Sequence, residues 1–182
     1  MATHDHSVSL KHIGIGASLA VLAMFGRKLA VQAPSALAGD WDVALALEHK
    51  MALKLFDGLA QTDENVSTKR TMLLTQLKHA LGKHALEEEN AIYPAMREHG
   101  LVAEADTLNA EHGYVKQYLY ELNDLVNDNS AFQAKLANFR KHIQAHMHEE
   151  EHDLFPRLKA ALAKEDSQDL THRMNQEGLK LA

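Results

Sequence analysis

The chain contains no cysteine and only three prolines among its 182 residues. Without thiols, disulfides, iron–sulfur clusters and thiolate-bound zinc are all excluded, so any metal must be held by His, Asp, Glu or Tyr. The scarcity of proline and of β-branched residues, together with abundant Ala, Leu, Glu, Lys and Met, favours helices over strands. We therefore expect an all-α protein with one well-buried core and a short appendage.

A surplus of basic residues is also missing, since the formal net charge is −6. A nucleic-acid-binding surface needs a basic face, and here Lys and Arg are scattered among acidic residues. We therefore expect no nucleic-acid partner. The chain also lacks a Walker loop and a GxSxG motif, which argues against nucleotide-binding and serine hydrolase functions of those types.

The longest apolar run, residues 13–25, is too short to span a bilayer, which needs about 20 apolar residues. Three interpretations stay open: a cleaved secretory signal, a membrane-surface anchor, or a retained helix that packs on the bundle or on a partner subunit. Pro34, Ser35 and Gly39 are interpreted as a linker. We predict a cytoplasmic protein, with a membrane-associated or periplasmic location as the alternative, and homo-oligomer or membrane-surface contact through residues 13–33.

From Asp40 onward the apolar periodicity is helical. The predicted organisation is an amino-terminal apolar helix and linker (1–39), an antiparallel up-down-up-down four-helix bundle (40–164), and a short carboxy-terminal helix and tail (165–182). The predicted helices cover residues 41–60, 67–99, 103–126, 130–164 and 167–178. In the first of these we expect a core-facing set that includes Val43, Leu45, Leu47, Met51, Leu55 and Leu59.

Histidine is over-represented: thirteen residues are about three times the usual frequency of roughly 2 %. Their placement is repeated in the two halves of the predicted bundle. The pair Glu48-His49 is followed by HALEEENAIYP, which begins at His84, and the pair Glu111-His112 is followed by HMHEEEHDLFP, which begins at His146. A spacing match of this length predicts two helical hairpins related by an approximate two-fold axis.

The spacing within each hairpin has a physical consequence. Residues i and i+4 of an α-helix lie about 40° apart around its axis, so they point the same way. His84 with Glu88, and His146 with Glu150, therefore each present an imidazole and a carboxylate to one point. Single histidines on the other two helices add to this set. The six predicted metal ligands are His49, His84, Glu88, His112, His146 and Glu150.

These segments resemble the hemerythrin-like family, also called the HHE cation-binding domain, over about residues 41–160. The resemblance implies a four-helix bundle that holds a carboxylate-bridged pair of non-haem iron ions. It also implies the same six ligands, with Glu88 and Glu150 as bridges. The number of irons comes from this resemblance, because the spacing alone indicates only six convergent ligands.

One departure from the oxygen carriers of that family lies on the third and fourth helices. Those carriers have HxxxH on the third helix and HxxxxD on the fourth, whereas His112 is followed at +4 by Lys116 and His146 by Glu150. An iron with fewer imidazoles has room for water, peroxide or a tyrosinate. Tyr114 and Tyr118 are candidates for approaching the centre, and His142 is a candidate seventh ligand.

The other polar residues of these segments are expected either at the surface or beside the ligands. Glu48 and Glu111 are either surface charges or hydrogen-bond partners of ligand imidazoles. The exposed face of the bundle is expected to carry His148 and His152, while His79 and His99 are expected at the surface or beside the ligands.

Three functions fit this pattern. The first is a di-iron binding protein that takes up or senses O2, peroxide or NO, or that handles iron. The second is a di-iron oxidoreductase that consumes O2 or peroxide as a peroxidase, catalase-like enzyme or ferroxidase. The third is a structural bundle in which zinc or manganese stabilises the fold.

Overall fold

The computed structural model describes residues 31–63 and 67–182, and these residues form helices and no strand. Residues 31–37 are helical. The elements that follow are α1 (Trp41–Ala60), α2 (Ser67–Glu87), a π-helical turn (Glu88–Ile92), α3 (Tyr93–Glu98), α4 (Val102–Asp124), α5 (Asn129–Glu149), a second π-helical turn (Glu150–Leu154), α6 (Phe155–Ala161) and α7 (Lys164–Leu181).

Four long helices enclose the core. Helix α1 packs against α2 and α5, and α4 packs against the same two helices, which closes a ring of four. The prediction of an all-helical protein is confirmed. The alternation of helix directions stays a prediction, and so does the amino-terminal apolar helix, because residues 13–25 lie outside the described residues.

Two apolar clusters fill the interior and leave a polar layer between them. On α1 the first cluster includes Leu45 and the second includes Ala52, with His49 between them; on α4 the corresponding residues are Leu108, Leu119 and, between them, His112. The predicted ligands therefore occupy one level of the bundle, sealed by apolar side chains above and below. On α1, however, Val43 and Met51 are exposed, in contrast to the predicted core-facing set.

Both π-helical turns lie just before a proline, and each begins at a predicted glutamate ligand. Pro94 and Pro156 have no backbone N–H to donate to the preceding turn, so the regular α-helical bonding opens there. The helices predicted as continuous through residues 84–94 and 146–156 therefore each contain one wider turn. Such a turn rotates the residues after it by about 100° relative to an uninterrupted α-helix.

The segment predicted as a linker packs on the bundle as a helix. Gln32 and Ser35 are buried, and Gln32 donates hydrogen bonds to Glu87 at 3.0 Å and to Asn175 of α7 at 2.9 Å. Tertiary contacts of this kind hold residues 31–37 in place, and local composition does not reveal them. Only Gly39 of the predicted linker has the positive φ, +105°, of a chain reversal.

The carboxy-terminal helix α7 was predicted over residues 167–178 and extends from Lys164 to Leu181. It packs on α2 and on the first π-helical turn, where Gly178 meets the carboxylate of Glu87. In the described residues, no helix has the length and apolar character that a membrane span requires.

We predict that Gly178→Ala destabilises the protein by about 1–3 kcal/mol, because a Cβ at this position would lie 1.9 Å from Oε1 of Glu87. That carboxylate is held by Lys83 and Gln32 and is not free to move aside. Chemical denaturation measures the change in the free energy of unfolding.

Gly113→Ala on the exposed face of α4 is the matched control. No atom lies within 4 Å of its Cβ position, so alanine is expected to raise stability by about 0.5–1 kcal/mol through its helix propensity. Equal effects of the two substitutions would show that α7 does not pack closely on Glu87.

Candidate metal centre

The structure brings all six predicted ligands into the polar layer between the two apolar clusters. Candidate ligand atoms of His49, His84, Glu88 and Glu150 all lie within 4.8 Å of one another, and those of Glu88, His112 and His146 form a second group of this kind. All six residues are buried. Each hairpin therefore contributes one imidazole pair: His49 with His84, and His112 with His146.

Each of the two carboxylates contacts one imidazole of each pair. Oε2 of Glu88 lies 3.3 Å from Nε2 of both His84 and His112. The oxygens of Glu150 lie 3.4 Å from Nε2 of His49 and 3.3 Å from Nε2 of His146. The two glutamates thus stand between the imidazole pairs, where a carboxylate could join two cations.

The opposite nitrogen of every imidazole in the centre meets a second carboxylate. In the first hairpin, Nδ1 of His84 lies 3.1 Å from Glu48; in the second, Nδ1 of His146 lies 2.6 Å from Glu111. Since a carboxylate only accepts hydrogen bonds, Nδ1 carries a proton, and in the neutral ring the lone pair of Nε2 points inward. Glu48 and Glu111 are therefore hydrogen-bond partners of the imidazoles; the side chain of Glu48 is largely buried, whereas that of Glu111 is 39 % exposed.

The same contact is made between the hairpins. Nδ1 of His49 lies 2.7 Å from Glu151, and Nδ1 of His112 lies 2.9 Å from Glu89. Both carboxylates come directly after a predicted glutamate ligand. All four imidazoles are therefore oriented as metal-binding histidines usually are, with a carboxylate behind each ring.

Buried polar atoms that point into the centre indicate that the residues fit a cation. Among the described residues, Nε2 of His146, Oε1 of Glu88 and Oε2 of Glu150 have no hydrogen-bond partner. Buried polar atoms are normally satisfied, and two buried carboxylates require compensating positive charge. Metal ions bound by these nitrogens and oxygens would meet both requirements.

Tyr93 is the residue of the centre that the sequence analysis did not predict. Its hydroxyl lies 3.1 Å from Nε2 of His112 and 3.1 Å from Oε1 of Glu150, and it donates to Glu88 at 3.3 Å. Burial, reinforced by the charges of Glu88 and Glu150, raises the pKa of Tyr93 well above its ordinary value of 10.0. The side chain therefore stays a phenol beside the two carboxylates.

The aromatic residue at the equivalent position of the other hairpin is Phe155, which stacks on His49 with a centroid distance of 6.4 Å. Tyr93 packs against His112 in a tilted arrangement, with a centroid distance of 5.4 Å. The two sides of the centre therefore differ by one hydroxyl group. The shared position nine residues after His84 and His146 was the available sequence signal for both rings.

The other candidates from the sequence lie away from the centre. His142 is exposed, and its Nδ1 contacts the hydroxyl of Tyr118 at 2.5 Å, while Tyr114 is 65 % exposed. His148 and His152 are exposed as predicted. His99 is also exposed, and His79 is half-buried near the ligands His49 and His84.

A buried ion-pair network flanks the first imidazole pair. The Lys83 ammonium donates to Glu48 at 2.5 Å and to Glu87 at 2.9 Å, and Ser35 donates a hydrogen bond to Glu48. Burial, together with the neighbouring charge of Glu48, raises the pKa of Glu87 to about 8. Burial alone would also raise the pKa of Glu48. The hydrogen bond with His84 and the charges of His84 and Lys83 outweigh burial, so the pKa of Glu48 is lowered.

The comparison with known families agrees with this geometry. The family profile described as Hemerythrin HHE cation binding domain matches residues 43–158 of the chain. The chain belongs to this family. All six predicted ligands and Tyr93 lie within the matched range, so the hemerythrin domain comprises both hairpins, whereas residues 31–37 and α7 are additions that pack against it. No curated protein and no solved structure gives a significant match.

The domain matched by the profile binds cations, and this chain has the buried His and Glu groups for that task. Membership in the family confirms the resemblance seen in the two repeated segments.

We predict that the metal-free protein loses stability as the pH rises from about 6.5 to about 10. Burial alone would lower the pKa of His146, but the charge of Glu150 and the hydrogen bond with Glu111 raise it to about 10 from 6.5. Its stabilising contribution is fully present below 6.5 and is lost as the pH rises through 10. The raised pKa of Glu87 also makes the folded protein less stable as the pH rises, between pH 4.5 and about pH 8.

The expected loss is about 2–5 kcal/mol, measured by chemical denaturation across this range in the presence of a chelator. His146→Gln is expected to reduce the loss without abolishing it, because the raised pKa values of Glu87, His49 and His84 remain. His172→Gln on the exposed face of α7 is expected to leave the profile unchanged. A metal-free protein whose stability increases over this range would contradict the assignment.

Proposed function

We propose that this protein binds two iron ions and uses them to take up or sense a small oxidant or diatomic molecule, with O2, peroxide and NO as the candidate ligands. The observation that carries the proposal is the set of unpartnered buried atoms on Glu88, His146 and Glu150, located between two imidazole pairs. A mixed nitrogen and oxygen donor set suits iron, and di-iron carboxylate centres are commonly built in the cores of helical bundles.

In the proposed assignment, His49 and His84 hold one ion, His112 and His146 hold the other, and Glu88 and Glu150 bridge them. Their separate contacts to both imidazole pairs support the bridging role. When bound, the iron pair would supply the affinity for oxygen species and the electrons for their reduction. The residues of this chain orient the imidazoles, exclude bulk water and hold a hydroxyl proton on Tyr93.

The surroundings of the centre fit a ligand of few atoms. A cavity of about 10 Å³ lies against His84, His112 and His146, and its other lining residues are Leu81, Ala85, Val115, Ile143 and Met147. A space of this size holds about one water molecule. Its apolar lining favours a small uncharged molecule over a charged or extended substrate.

The second candidate function is a di-iron oxidoreductase that consumes O2 or peroxide, and Tyr93 is the observation that favours it. A phenol placed between Glu88, Glu150 and His112 can donate a hydrogen bond or a proton to a reacting oxygen. A reversible binding site needs no proton donor of this kind, although it could use one to stabilise a bound ligand.

We predict that the protein purified from iron-supplemented growth contains two iron ions per chain, measured by elemental analysis. Exposure of the ferrous protein to air should produce an absorption band that disappears on deoxygenation if the protein binds oxygen reversibly. Irreversible oxidation, with sustained consumption of peroxide over many turnovers, would identify the oxidoreductase instead.

Glu88→Ala and Glu150→Ala are expected to lose most of the bound iron, whereas Glu98→Ala, at an exposed position on α3, should keep it. Stoichiometric zinc or manganese in place of iron would support the structural bundle. One iron per chain in the unaltered protein, or full iron retention by both alanine variants, would refute the di-iron assignment.

A further inference from the structure

A large groove between α4 and α5 has no part in the proposed iron chemistry. Its volume is about 540 Å³, and it reaches inward to His146. We call it the α4–α5 groove, and its main lining residues are Glu111, Tyr114, Tyr118, Phe139, His142, Ala145 and Glu149.

The internal repeat identifies the counterpart of this groove in the other hairpin. Since His84 corresponds to His146, Glu87 corresponds to Glu149 and Lys83 corresponds to Ala145. Glu48 and Glu111 are equivalent too, because each precedes the single histidine of its hairpin and each meets Nδ1 of the other histidine.

In the first hairpin the two equivalent carboxylates share a cation. The Lys83 ammonium lies 2.5 Å from Glu48 and 2.9 Å from Glu87, and residues 31–37 and α7 supply the side chains that pack over this network. The network is therefore buried, with one ammonium between the two carboxylates. This arrangement shows what the pair of carboxylates accommodates.

In the second hairpin the cation is missing because position 145 is alanine. Within residues 31–63 and 67–182, neither Glu111 nor Glu149 forms an ion pair with a lysine or an arginine. Lys135, whose ammonium lies 5.7 Å from the centroid of Tyr118, is already paired with Glu121 at 2.6 Å. The other titratable group in the groove, His142, is engaged by the hydroxyl of Tyr118.

The walls of the groove suit the apolar part of an organic cation. Tyr118 stacks on Phe139 with a centroid distance of 4.8 Å, and Tyr114 is largely exposed. Aromatic rings attract ammonium groups, and Tyr118 already has the Lys135 ammonium 5.7 Å from its centroid. The groove therefore combines aromatic surface with two carboxylates that no lysine or arginine of the described residues contacts, Glu149 without an ion pair and Glu111 paired only with His146.

We infer that the α4–α5 groove binds a small organic ammonium ion, a primary or secondary amine on an apolar body. Its nitrogen takes the place that Lys83 occupies in the other hairpin, between Glu111 and Glu149, and its apolar part lies against Tyr114 and Tyr118. Glu111 also holds Nδ1–H of His146, so the ligand is linked to the metal centre through one hydrogen bond. Iron is not required for the amine to bind, and iron at His146 is expected to change the affinity only through this hydrogen bond.

The test compares phenethylamine with its neutral analogue 2-phenylethanol, by calorimetry and by NMR shifts of the Ala145 methyl group and the Tyr114 ring. Phenethylamine is expected to bind about three- to tenfold more tightly, since the ammonium adds an ion pair at a partly exposed site. The measurement is made on the metal-free and the iron-loaded protein, so a failure of the di-iron proposal does not affect its outcome.

Two substitutions make the test specific. Ala145→Lys supplies the ammonium that the first hairpin already has, and position 145 is exposed, so the variant is expected to fold and to lose phenethylamine binding. Glu149→Gln is expected to weaken binding about three- to tenfold, whereas Glu165→Gln at the exposed start of α7 should leave it unchanged.

Equal affinity for the alcohol and the amine would overturn the proposal, as would undiminished binding by Ala145→Lys. Binding of a lysine-containing peptide without any binding of the free amine would also overturn it, since the occupant would then be a protein segment. Shifts confined to residues outside the groove would assign the amine to another site.

Discussion

The fold depends on one electrostatic constraint: two fully buried carboxylates, Glu88 and Glu150, face four inward-pointing imidazole nitrogens. Burying charge in an apolar bundle is unfavourable unless positive charge accompanies it, and no lysine or arginine of the described residues contacts either glutamate. The apolar clusters on both sides of this layer keep water out and hold the helices at fixed separations. A cation-binding role follows from this constraint together with membership in the hemerythrin family.

The correspondence between the two repeated segments is informative mainly where it breaks. Tyr93 against Phe155 gives one side of the centre a hydroxyl group that the other side lacks. Lys83 against Ala145 gives one flank a buried ion-pair network and leaves the other flank an open groove with acidic side chains. A symmetric scaffold thus supplies the ligands, while single substitutions make the two sides chemically different.

Much of this site could be predicted because the i, i+4 spacing is a local property of helices. His84 with Glu88, and His146 with Glu150, share a helix face in the sequence and in the structure. Tyr93 was not predicted as part of the centre because the π-helical turn before it changes the direction in which its side chain points. Five residues after Glu88 an α-helical residue points about 140° away, but one extra residue in the turn reduces the angle to about 40°.

The tertiary partners were less accessible to sequence reasoning. Glu89 and Glu151 contact imidazoles of the other hairpin. A local sequence pattern does not predict contacts between helices that are far apart in the chain. Residues 31–37 contain Pro34 and Ser35, which indicated a linker, yet the buried hydrogen bonds of Gln32 and Ser35 hold them against the bundle. Only the packed structure shows these contacts.

The most direct test of the central claim is anomalous X-ray diffraction from crystals of the iron-loaded protein, with data recorded on both sides of the iron absorption edge. The account predicts two iron peaks in the polar layer of the bundle, one beside His49 and His84 and the other beside His112 and His146. A single peak, or iron located only at exposed histidines such as His148 and His152, would contradict it.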